Sequence, residues 1–505
     1  MESMAIINQK KPHVVFIPSP AQSHIKCMLK LARLLHHKGL NITFINTISN
    51  HKWLVKSGAT SRWLDGAPGF QFKTVPDGLP DPTSDQEVDQ QTQNTVKVWT
   101  YLGTNFFDLF LDLVGGLETP ITCIVCDGFM TYTNMVHAAE RLRVPIILFW
   151  TMAACGFMGF YQVKVLMEKG LSLLKVSLFF KYCYYNENGF IRHESHLTNG
   201  FLETKIDWIP GMNGIRLKDL PEFTRFTNPT DPGFKFLLES AQVADTVSPM
   251  IVHTFEELES DLIKELKSMF PNLYTIGPLQ LLLNQITETQ TDNSSFNGYS
   301  LRTEEPECLN WLDSKQPNSV VYVNFGSLAV MSLQDLLEFG WGLVNSDHEF
   351  LWIVRTDLVD GEPAVLPQEL EIAIKRKGFV GRWCSQEEVL NHRSVGGFLT
   401  HGGWGSVIES LTSGVPMACW PFYGDQRTNC RQMCKEWGVG IEIGRSVKRD
   451  AVEKVVRVLM AGEEGGRMRN KAMEWKKMAE TATRHGGSSS SNMDKLTDVL
   501  KTVLL

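Results

Sequence analysis

The sequence predicts an α/β protein with two Rossmann-like parallel-sheet domains that face each other across a cleft. Short apolar strands alternate with amphipathic helices in the first half, a polar stretch follows at Asn284–Glu305, and the alternation then restarts. Strands that alternate with helices form parallel sheets covered by those helices. A chain of 505 residues is also too long for one hydrophobic core, which favours two domains.

The first half repeats a strand–helix cycle. His13–Ile17 reads as a buried strand, Ile25–Lys38 places its leucines and methionine on one helical face, and Gly39 ends that helix. Further elements in the same cycle are a strand at Asn41–Asn46, a strand around Ile124, a helix around Ala138 and a strand around Ile147. Ligands of such sheets bind beyond the carboxyl ends of the strands.

The second half starts the cycle again after the polar stretch. It predicts a strand at Val320–Phe325, a helix from Ser332 with Asp335 completing a capping box, and a strand at Phe350–Val354. We therefore expect an N-terminal domain at 1–280, a linker at 281–305 and a C-terminal domain at 306–485. Residues 486–505 are expected to form a helix that packs back on the first domain.

Composition excludes several classes of protein. A net charge of −7 without a long Lys/Arg run argues against binding to nucleic acid or to an anionic membrane surface. The apolar run Val144–Tyr161 begins Val-Pro and holds two glycines, which favours a buried strand and helix over a membrane span. The N-terminus lacks the pattern of a secretory signal, and the ten cysteines are scattered. These features predict a cytoplasmic protein with reduced thiols.

Trp383–Gln426 contains the residue types that a nucleotide-sugar site needs. Trp383 offers a flat face for a base, and a glycine-rich turn, Thr400–Ser406, lies between the apolar strand Gly397–Leu399 and the helix Ser406–Ser413. Such a turn lets backbone N–H groups approach a diphosphate at a helix N-terminus. Glu409, one turn into the helix, suits two ribose hydroxyls. Each residue alone would be assigned to packing or to a solvated surface, so the prediction rests on their spacing.

This stretch resembles the signature box of plant family 1 UDP-dependent glycosyltransferases. The resemblance covers nearly the whole chain, because PHVVFIPSPAQSHI, CIVCDGFM and SVVYVNFGS also occur in the family's order. Several stretches are most similar to the subgroup with 7-deoxyloganetin and cyanohydrin glucosyltransferases. The resemblance implies a GT-B fold, UDP-glucose as co-substrate, a small lipophilic acceptor and no metal. It also implies that the domain at 1–280 binds the acceptor and that the domain at 306–485 binds the UDP-sugar.

The resemblance also implies the residues of the donor site. Trp383 would stack on uracil with Cys384 beside it, and Gln386 and Glu409 would hold the ribose. The diphosphate would lie against a second group of residues, Ser327, His401, Gly403, Gly405 and Ser406. Trp404, Asp425 and Gln426 would contact the sugar hydroxyls, and a Gln at the last position accompanies glucose in this family.

His24 and Asp127 are the matched catalytic pair. Each follows a predicted strand at its carboxyl end, although their spacing of about a hundred residues says nothing by itself. His24 would act as the general base on the acceptor hydroxyl, and Asp127 would fix its tautomer and stabilise the imidazolium. A single displacement at the anomeric carbon would invert its configuration.

Three departures from the family pattern leave alternatives open. The family has Gly-His-Ile-Asn-Pro where this chain has Ser23 to Cys27 with Lys26 in place of Asn, and Asn where Gly405 stands. A weakened paralogue that binds UDP-sugar or a small molecule without efficient turnover is therefore the second hypothesis. Val176–Arg192, with six aromatic residues and no period, reads as an insertion: a retained intron or an acceptor-side loop. A Rossmann oxidoreductase is disfavoured, because no G-x-G-x-x-G follows the first strand.

Overall fold

A computed structural model describes residues 11–58, 67–80, 91–171, 199–222, 232–288, 299–360, 363–444 and 446–502. Val176–Arg192 and residues 289–298 of the predicted linker lie outside the described residues.

Seven of the described strands before residue 276 form a parallel sheet in the order β3-β2-β1-β4-β5-β8-β9. Its strands are β1 (His13–Ile17), β2 (Asn41–Thr47), β3 (Phe70–Val75), β4 (Cys123–Asp127), β5 (Ile146–Trp150), β8 (Met250–Val252) and β9 (Leu273–Thr275). A separate antiparallel pair joins β6 (Lys205–Ile206) to β7 (Ile215–Arg216). The central strands β1, β4 and β5 are buried along their whole length, as expected for a sheet covered on both faces.

Helices connect and cover these strands. They are α1 (Gln22–His37), α2 (Ile48–Lys56), α3 (Gln91–Gly115), α4 (Met135–Leu142), α5 (Ala154–Tyr161), α6 (Val163–Glu168), α7 (Pro232–Val243), α8 (Ser260–Met269) and α9 (Leu279–Glu288). Helix α9 includes the first eight residues of the predicted linker, so that part of the chain is helical.

The described strands after residue 319 form a second parallel sheet in the order β12-β11-β10-β13-β14-β15. Its strands are β10 (Val320–Asn324), β11 (Glu349–Ile353), β12 (Gly378–Gly381), β13 (Val395–Thr400), β14 (Met417–Cys419) and β15 (Gly440–Glu442). The helices of this half are α10 (Glu307–Asp313), α11 (Leu333–Asn345), α12 (Gln368–Ile374), α13 (Gln386–Asn391), α14 (Trp404–Ser413), α15 (Gln426–Arg431), α16 (Arg449–Ala461), α17 (Glu463–Thr483) and α18 (Ser488–Thr502). Two parallel-sheet α/β units confirm the predicted fold class.

The last helix returns to the first sheet. Met493, Leu496 and Leu500 of α18 are buried in the same apolar cluster as the residues of β1 and α1. The Asn492 amide donates to the carbonyl of Thr275 at the end of β9, at 3.1 Å. No helix in the described part of the chain is both long and apolar enough to cross a membrane.

Two predicted helix boundaries were wrong in a way that affects the site. Helix α1 begins at Gln22 rather than Ile25, so His24 lies in its first turn and not in the preceding loop. Helix α14 begins at Trp404 rather than Ser406, so Gly405 is a helical residue. The missed residues of α1, Gln22 to His24, are polar, and in α14 the single apolar residue Trp404 is followed by Gly405 and Ser406, so neither start shows the apolar period by which the helix was located.

Candidate active site

A cavity of about 470 Å³ lies between the carboxyl ends of the two sheets. In each sheet the strand order reverses next to this cavity, between β1 and β4 and between β10 and β13. Such reversal points are where open α/β sheets bind ligands. Thirteen of the fourteen predicted site residues line it: His24, Ser327, Trp383, Cys384, Gln386, His401, Gly403, Trp404, Gly405, Ser406, Glu409, Asp425 and Gln426. The fourteenth, Asp127, lies behind His24.

His24 and Asp127 form a hydrogen-bonded pair. His24 Nδ1 lies 2.7 Å from Asp127 Oδ2, and the Asp127 side chain is fully buried while that of His24 is 22% exposed. A carboxylate can only accept, so His24 donates its Nδ1–H, which leaves the lone pair of the neutral ring on Nε2. Asp127 Oδ1 accepts the N–H of Phe129, which fixes the carboxylate at the end of β4. The pair therefore has the arrangement of a base and its orienting acid.

Two further residues hold the His24 ring. Thr151 Oγ1 lies 2.9 Å from His24 Nδ1, and the Phe129 ring meets the imidazole edge-on with centroids 5.6 Å apart. Thr151 directly follows β5, the neighbour of β4 in the sheet. Sequence reasoning missed it, although its position at the carboxyl end of a central strand was a usable signal.

The charges around His24 favour its protonated form. Burial lowers its pKa, but the charge and hydrogen bond of Asp127 and the more distant charge of Asp425 outweigh it, so the pKa of His24 is raised. Burial raises the pKa of Asp425 to about 6, although a hydrogen bond from Asn429 and the charge of His24 act the other way. His24 and Asp425 come from opposite halves of the chain, so the charge of a residue in each half affects the pKa of a residue in the other.

The predicted base and ribose residues are each held by hydrogen bonds. The half-buried Trp383 donates its indole N–H to Ser300 Oγ at 2.9 Å, and the Arg302 guanidinium lies over its ring at 5.5 Å. Gln386 donates through Nε2 to Ser406 Oγ at 3.0 Å and to Glu409 Oε2 at 2.8 Å. Cys384, between them, is buried with Sγ 3.3 Å from Tyr322 Oη. Its contact is with the protein interior.

The predicted diphosphate residues surround the start of α14. A Cβ at Gly326 (φ +75°) would lie 2.6 Å from His401 Nε2, and one at Gly403 would lie 2.5 Å from it, so both positions need glycine next to this ring. Burial, with a smaller contribution from the charge of Arg355, lowers the pKa of His401 to about 3. His401 is therefore neutral here. What it can offer a phosphate is a hydrogen bond from its ring and not a positive charge.

The predicted sugar residues lie at the first residue of α14 and at the start of α15. Trp404 lines the cavity but is buried, and its indole N–H donates to the carbonyl of His253 at 2.6 Å. Gln426 Oε1 accepts the N–H groups of Phe422 and Tyr423 at 2.7 and 3.0 Å. The Gln426 amide is thereby oriented with its N–H₂ group available as a donor.

Aromatic side chains enclose the cavity near His24. Trp99 and Phe236 are stacked with centroids 5.5 Å apart, and Phe129 stacks on the other side of Phe236 at 6.0 Å. Phe160 and Met152 also line this part. Sequence reasoning assigned the acceptor to this half of the chain but named none of these residues, since they come from different helices and loops.

Sequence reasoning also missed a group of charged residues at the cleft. Lys26, noted only as a departure from the family pattern, bridges Glu387 and Glu409, and Lys30 also contacts Glu387. The chain separation between Lys26 and Glu409 is 383 residues, so no local pattern could have shown the contact.

Comparisons with known proteins show what the chain as a whole is similar to. The family described as UDP-glucoronosyl and UDP-glucosyl transferase matches residues 236–469. UDP-glycosyltransferase 85C1 of Stevia rebaudiana is 64% identical, over 99% of both chains. The 7-deoxyloganetin glucosyltransferase of Catharanthus roseus is 47% identical, over 98% of this chain and 97% of its own. A solved anthocyanidin 3-O-glucosyltransferase in complex with UDP has a TM-score of 0.75 at 25% identity, covering 98% of this chain and 100% of that one.

Proposed function

The chain belongs to family 1 of the UDP-dependent glycosyltransferases, and from that premise we propose that it is an inverting UDP-glucose-dependent O-glucosyltransferase of a small lipophilic acceptor. The observation that carries the proposal is the His24–Asp127 pair, held at 2.7 Å on the wall of the cavity that the donor box lines. Transfer of a sugar to a hydroxyl requires a general base and a nucleotide-sugar site in the same cavity.

The reaction follows from this arrangement. The acceptor lies among the aromatic side chains, and its hydroxyl gives its proton to His24 Nε2 while its oxygen forms a bond to the anomeric carbon. The bond from that carbon to the β-phosphate oxygen breaks, UDP leaves, and the configuration inverts, so an α-linked donor gives a β-glucoside. Asp127 stabilises the imidazolium that forms, as an orienting carboxylate does in a hydrolase triad.

The sugar residues support glucose as the group transferred. Asp425 and the oriented amide of Gln426 suit neutral hydroxyls, whereas a glucuronate carboxylate would approach another carboxylate at Asp425. Like charges in a buried site repel strongly. UDP-glucose should therefore be preferred over UDP-glucuronate.

The acceptor class is proposed from the cavity and from the relatives together. The wall near His24 is aromatic, which favours a lipophilic alcohol or phenol with one hydroxyl directed at the base. The 7-deoxyloganetin and (R)-mandelonitrile glucosyltransferases among the relatives support terpenoid, iridoid, phenolic and cyanohydrin acceptors. We place the enzyme in the cytoplasm, supported by the described cysteines, which are all free thiols.

One assay tests the proposal. The purified protein is incubated with UDP-glucose or UDP-glucuronate and a panel of terpenols, flavonols and cyanohydrins, and products are identified by mass and by the anomeric proton coupling. The expected result is a β-glucoside from UDP-glucose. An α-glucoside, or faster turnover of UDP-glucuronate, would contradict the proposal. UDP binding without any product would instead favour the non-catalytic paralogue.

A further inference from the structure

Lys26 connects the helix of the catalytic base to the predicted ribose carboxylate. It lies on α1, two residues after His24, and its ammonium lies 2.7 Å from Glu409 Oε1 and 2.6 Å from Glu387 Oε1. Glu387 is on α13 and Glu409 on α14, so the contact crosses from the first half of the chain to the second. Lys26 also lines the cavity.

Glu409 is held at both of its oxygens. Lys26 binds Oε1, the Gln386 amide binds Oε2 at 2.8 Å, and the residue is 6% exposed. Each carboxylate oxygen can accept two hydrogen bonds, so one acceptor position remains on each oxygen. Two such positions match the two neighbouring hydroxyls of a ribose. Lys26 therefore leaves the acceptor capacity of Glu409 in place while it fixes the orientation of the carboxylate.

The surrounding charges give Lys26 a second effect. Glu304, Glu387 and Glu409 all lie at this part of the cavity. Burial raises the pKa of Glu304 to about 7. Burial alone would do the same for Glu387, but the charges of Lys26 and Lys30 hold its pKa well below the usual range. Without Lys26, an anionic nucleotide would meet uncompensated carboxylates.

On the basis of the proposed function, we infer that Lys26 is a donor-positioning residue, which reaches across the cleft to hold Glu409 in the orientation that accepts the ribose hydroxyls of the UDP-sugar. The family pattern has Asn at this position, so the contact with Glu409 is expected only in chains that have Lys here. An ion pair that only stabilises the closed cleft is the competing explanation. It would affect every ligand alike, whereas a positioning residue affects the recognition of the ribose hydroxyls.

The test measures binding of two nucleotides by calorimetry in the full-length protein. UDP carries both ribose hydroxyls, and 2′,3′-dideoxyuridine diphosphate carries neither. The quantity of interest is the ratio of their dissociation constants, because any general loss of charge or of closure cancels in it. Lys26→Met removes the ammonium and keeps most of the side-chain length. Lys30→Met is the matched control. Lys30 lies on α1, as Lys26 does, and contacts Glu387, but it has no contact with Glu409 in the described structure.

The wild-type protein should bind UDP more tightly than the dideoxy compound. Lys26→Met should reduce that preference by about tenfold, the effect of one charge-assisted hydrogen bond. Lys26→Arg should retain it in large part, and Lys30→Met should leave the ratio unchanged. If Lys26→Met does not fold, Lys26→Asn provides the same comparison. An unchanged ratio in Lys26→Met or Lys26→Asn, or an equal fall in Lys30→Met, would overturn the inference and leave the proposed function standing. Failure of the wild-type protein to bind UDP would overturn both.

Discussion

At the scale of single residues, His24 carries the chemistry. Its Nε2 is the unprotonated nitrogen, because Nδ1 donates to Asp127. His24→Ala should lower kcat by roughly a hundredfold to ten-thousandfold, the usual effect of removing a general base. UDP affinity should change little, since the nucleotide residues lie on the other half of the chain. Steady-state kinetics and UDP titration measure both. His36→Ala, at the far end of α1, is the control, and a His24→Ala enzyme with half the wild-type rate would rule out the role.

Asp127 should set the pH at which that base works. Its charge and hydrogen bond raise the pKa of His24 against the opposing effect of burial. The base acts in its neutral form, so kcat/KM rises as the pH rises through this pKa. Asp127→Asn removes the negative charge and lowers the pKa of His24, which should shift the acid limb to lower pH. The maximal rate should fall as well, because the imidazolium loses its stabilising partner. A pH–rate profile with an unmoved acid limb would contradict the assignment.

Gly405 offers a substitution that should improve the donor site. A Cβ there would meet no atom within 4 Å, and the residue lies in the first turn of α14 on the cavity wall. An Asn amide could add a hydrogen bond to a charged phosphate, worth about 1.5–3 kcal/mol. Gly405→Asn should therefore tighten UDP binding by about tenfold, and the acceptor KM should change less. Equal or weaker UDP binding in a calorimetric titration would show that Gly405 is no deficit.

At the scale of elements, the sequence predicted whatever depends on local pattern. The strand His13–Ile17 has the predicted bounds, and the strand predicted around Ile147 spans Ile146–Trp150, because β-branched and aromatic residues predominate in both. The starts of α1 and α14 were missed, since Gln22 to His24 are polar and Trp404 is followed by Gly405 and Ser406 before the apolar period begins. Those starts contain His24 and Gly405, so the boundary errors fall on the site itself. A site residue at the start of a helix is selected for what it binds, so the apolar period of the helix is weak at that end.

Helix α18 should stabilise the first sheet rather than the second. Leu496 is fully buried in the apolar cluster of β1 and α1. Leu496→Ala should lower the free energy of unfolding by about 2–5 kcal/mol, the usual range for such a truncation in a core. Lys495→Ala, exposed on the same helix, should change it little. Denaturant unfolding of the two variants provides the comparison, and equal values would mean that α18 contributes no core contact.

At the scale of the whole molecule, the contacts across the cleft could not be predicted from the sequence. The donor box was predictable because its residues occupy a few dozen consecutive positions. The charged contacts that join the two halves were not, since Lys26 and Glu409 are 383 residues apart and each alone resembles a solvated surface residue. The same holds for Trp404, whose indole binds the His253 carbonyl across the cleft. Contacts of this kind depend on how two sheets face each other, which no local period records.

The charge balance of the cleft leads to a prediction about metals. A divalent ion bound to a sugar diphosphate is normally held by carboxylates of the protein as well as by the phosphates. Here Glu387 and Glu409 are ion-paired with lysines, and Asp127 is bound to His24. Burial raises the pKa of Asp425 to about 6, so it is largely ionised at pH 7, but it is a single carboxylate whose charge is opposed by that of His24. The N-terminal turn of α14 offers backbone N–H groups to the leaving diphosphate instead.

Transfer from UDP-glucose should therefore continue at an unchanged rate in excess EDTA, and added Mg²⁺ or Mn²⁺ should not increase it. EDTA saturated with Mg²⁺ beforehand is the control for effects of the chelator itself. A rate abolished by EDTA and restored by Mg²⁺ would show that a metal shares the diphosphate with α14. In that case one of the paired carboxylates must release its lysine when the donor binds, and Lys26→Met should then increase the affinity for the ion.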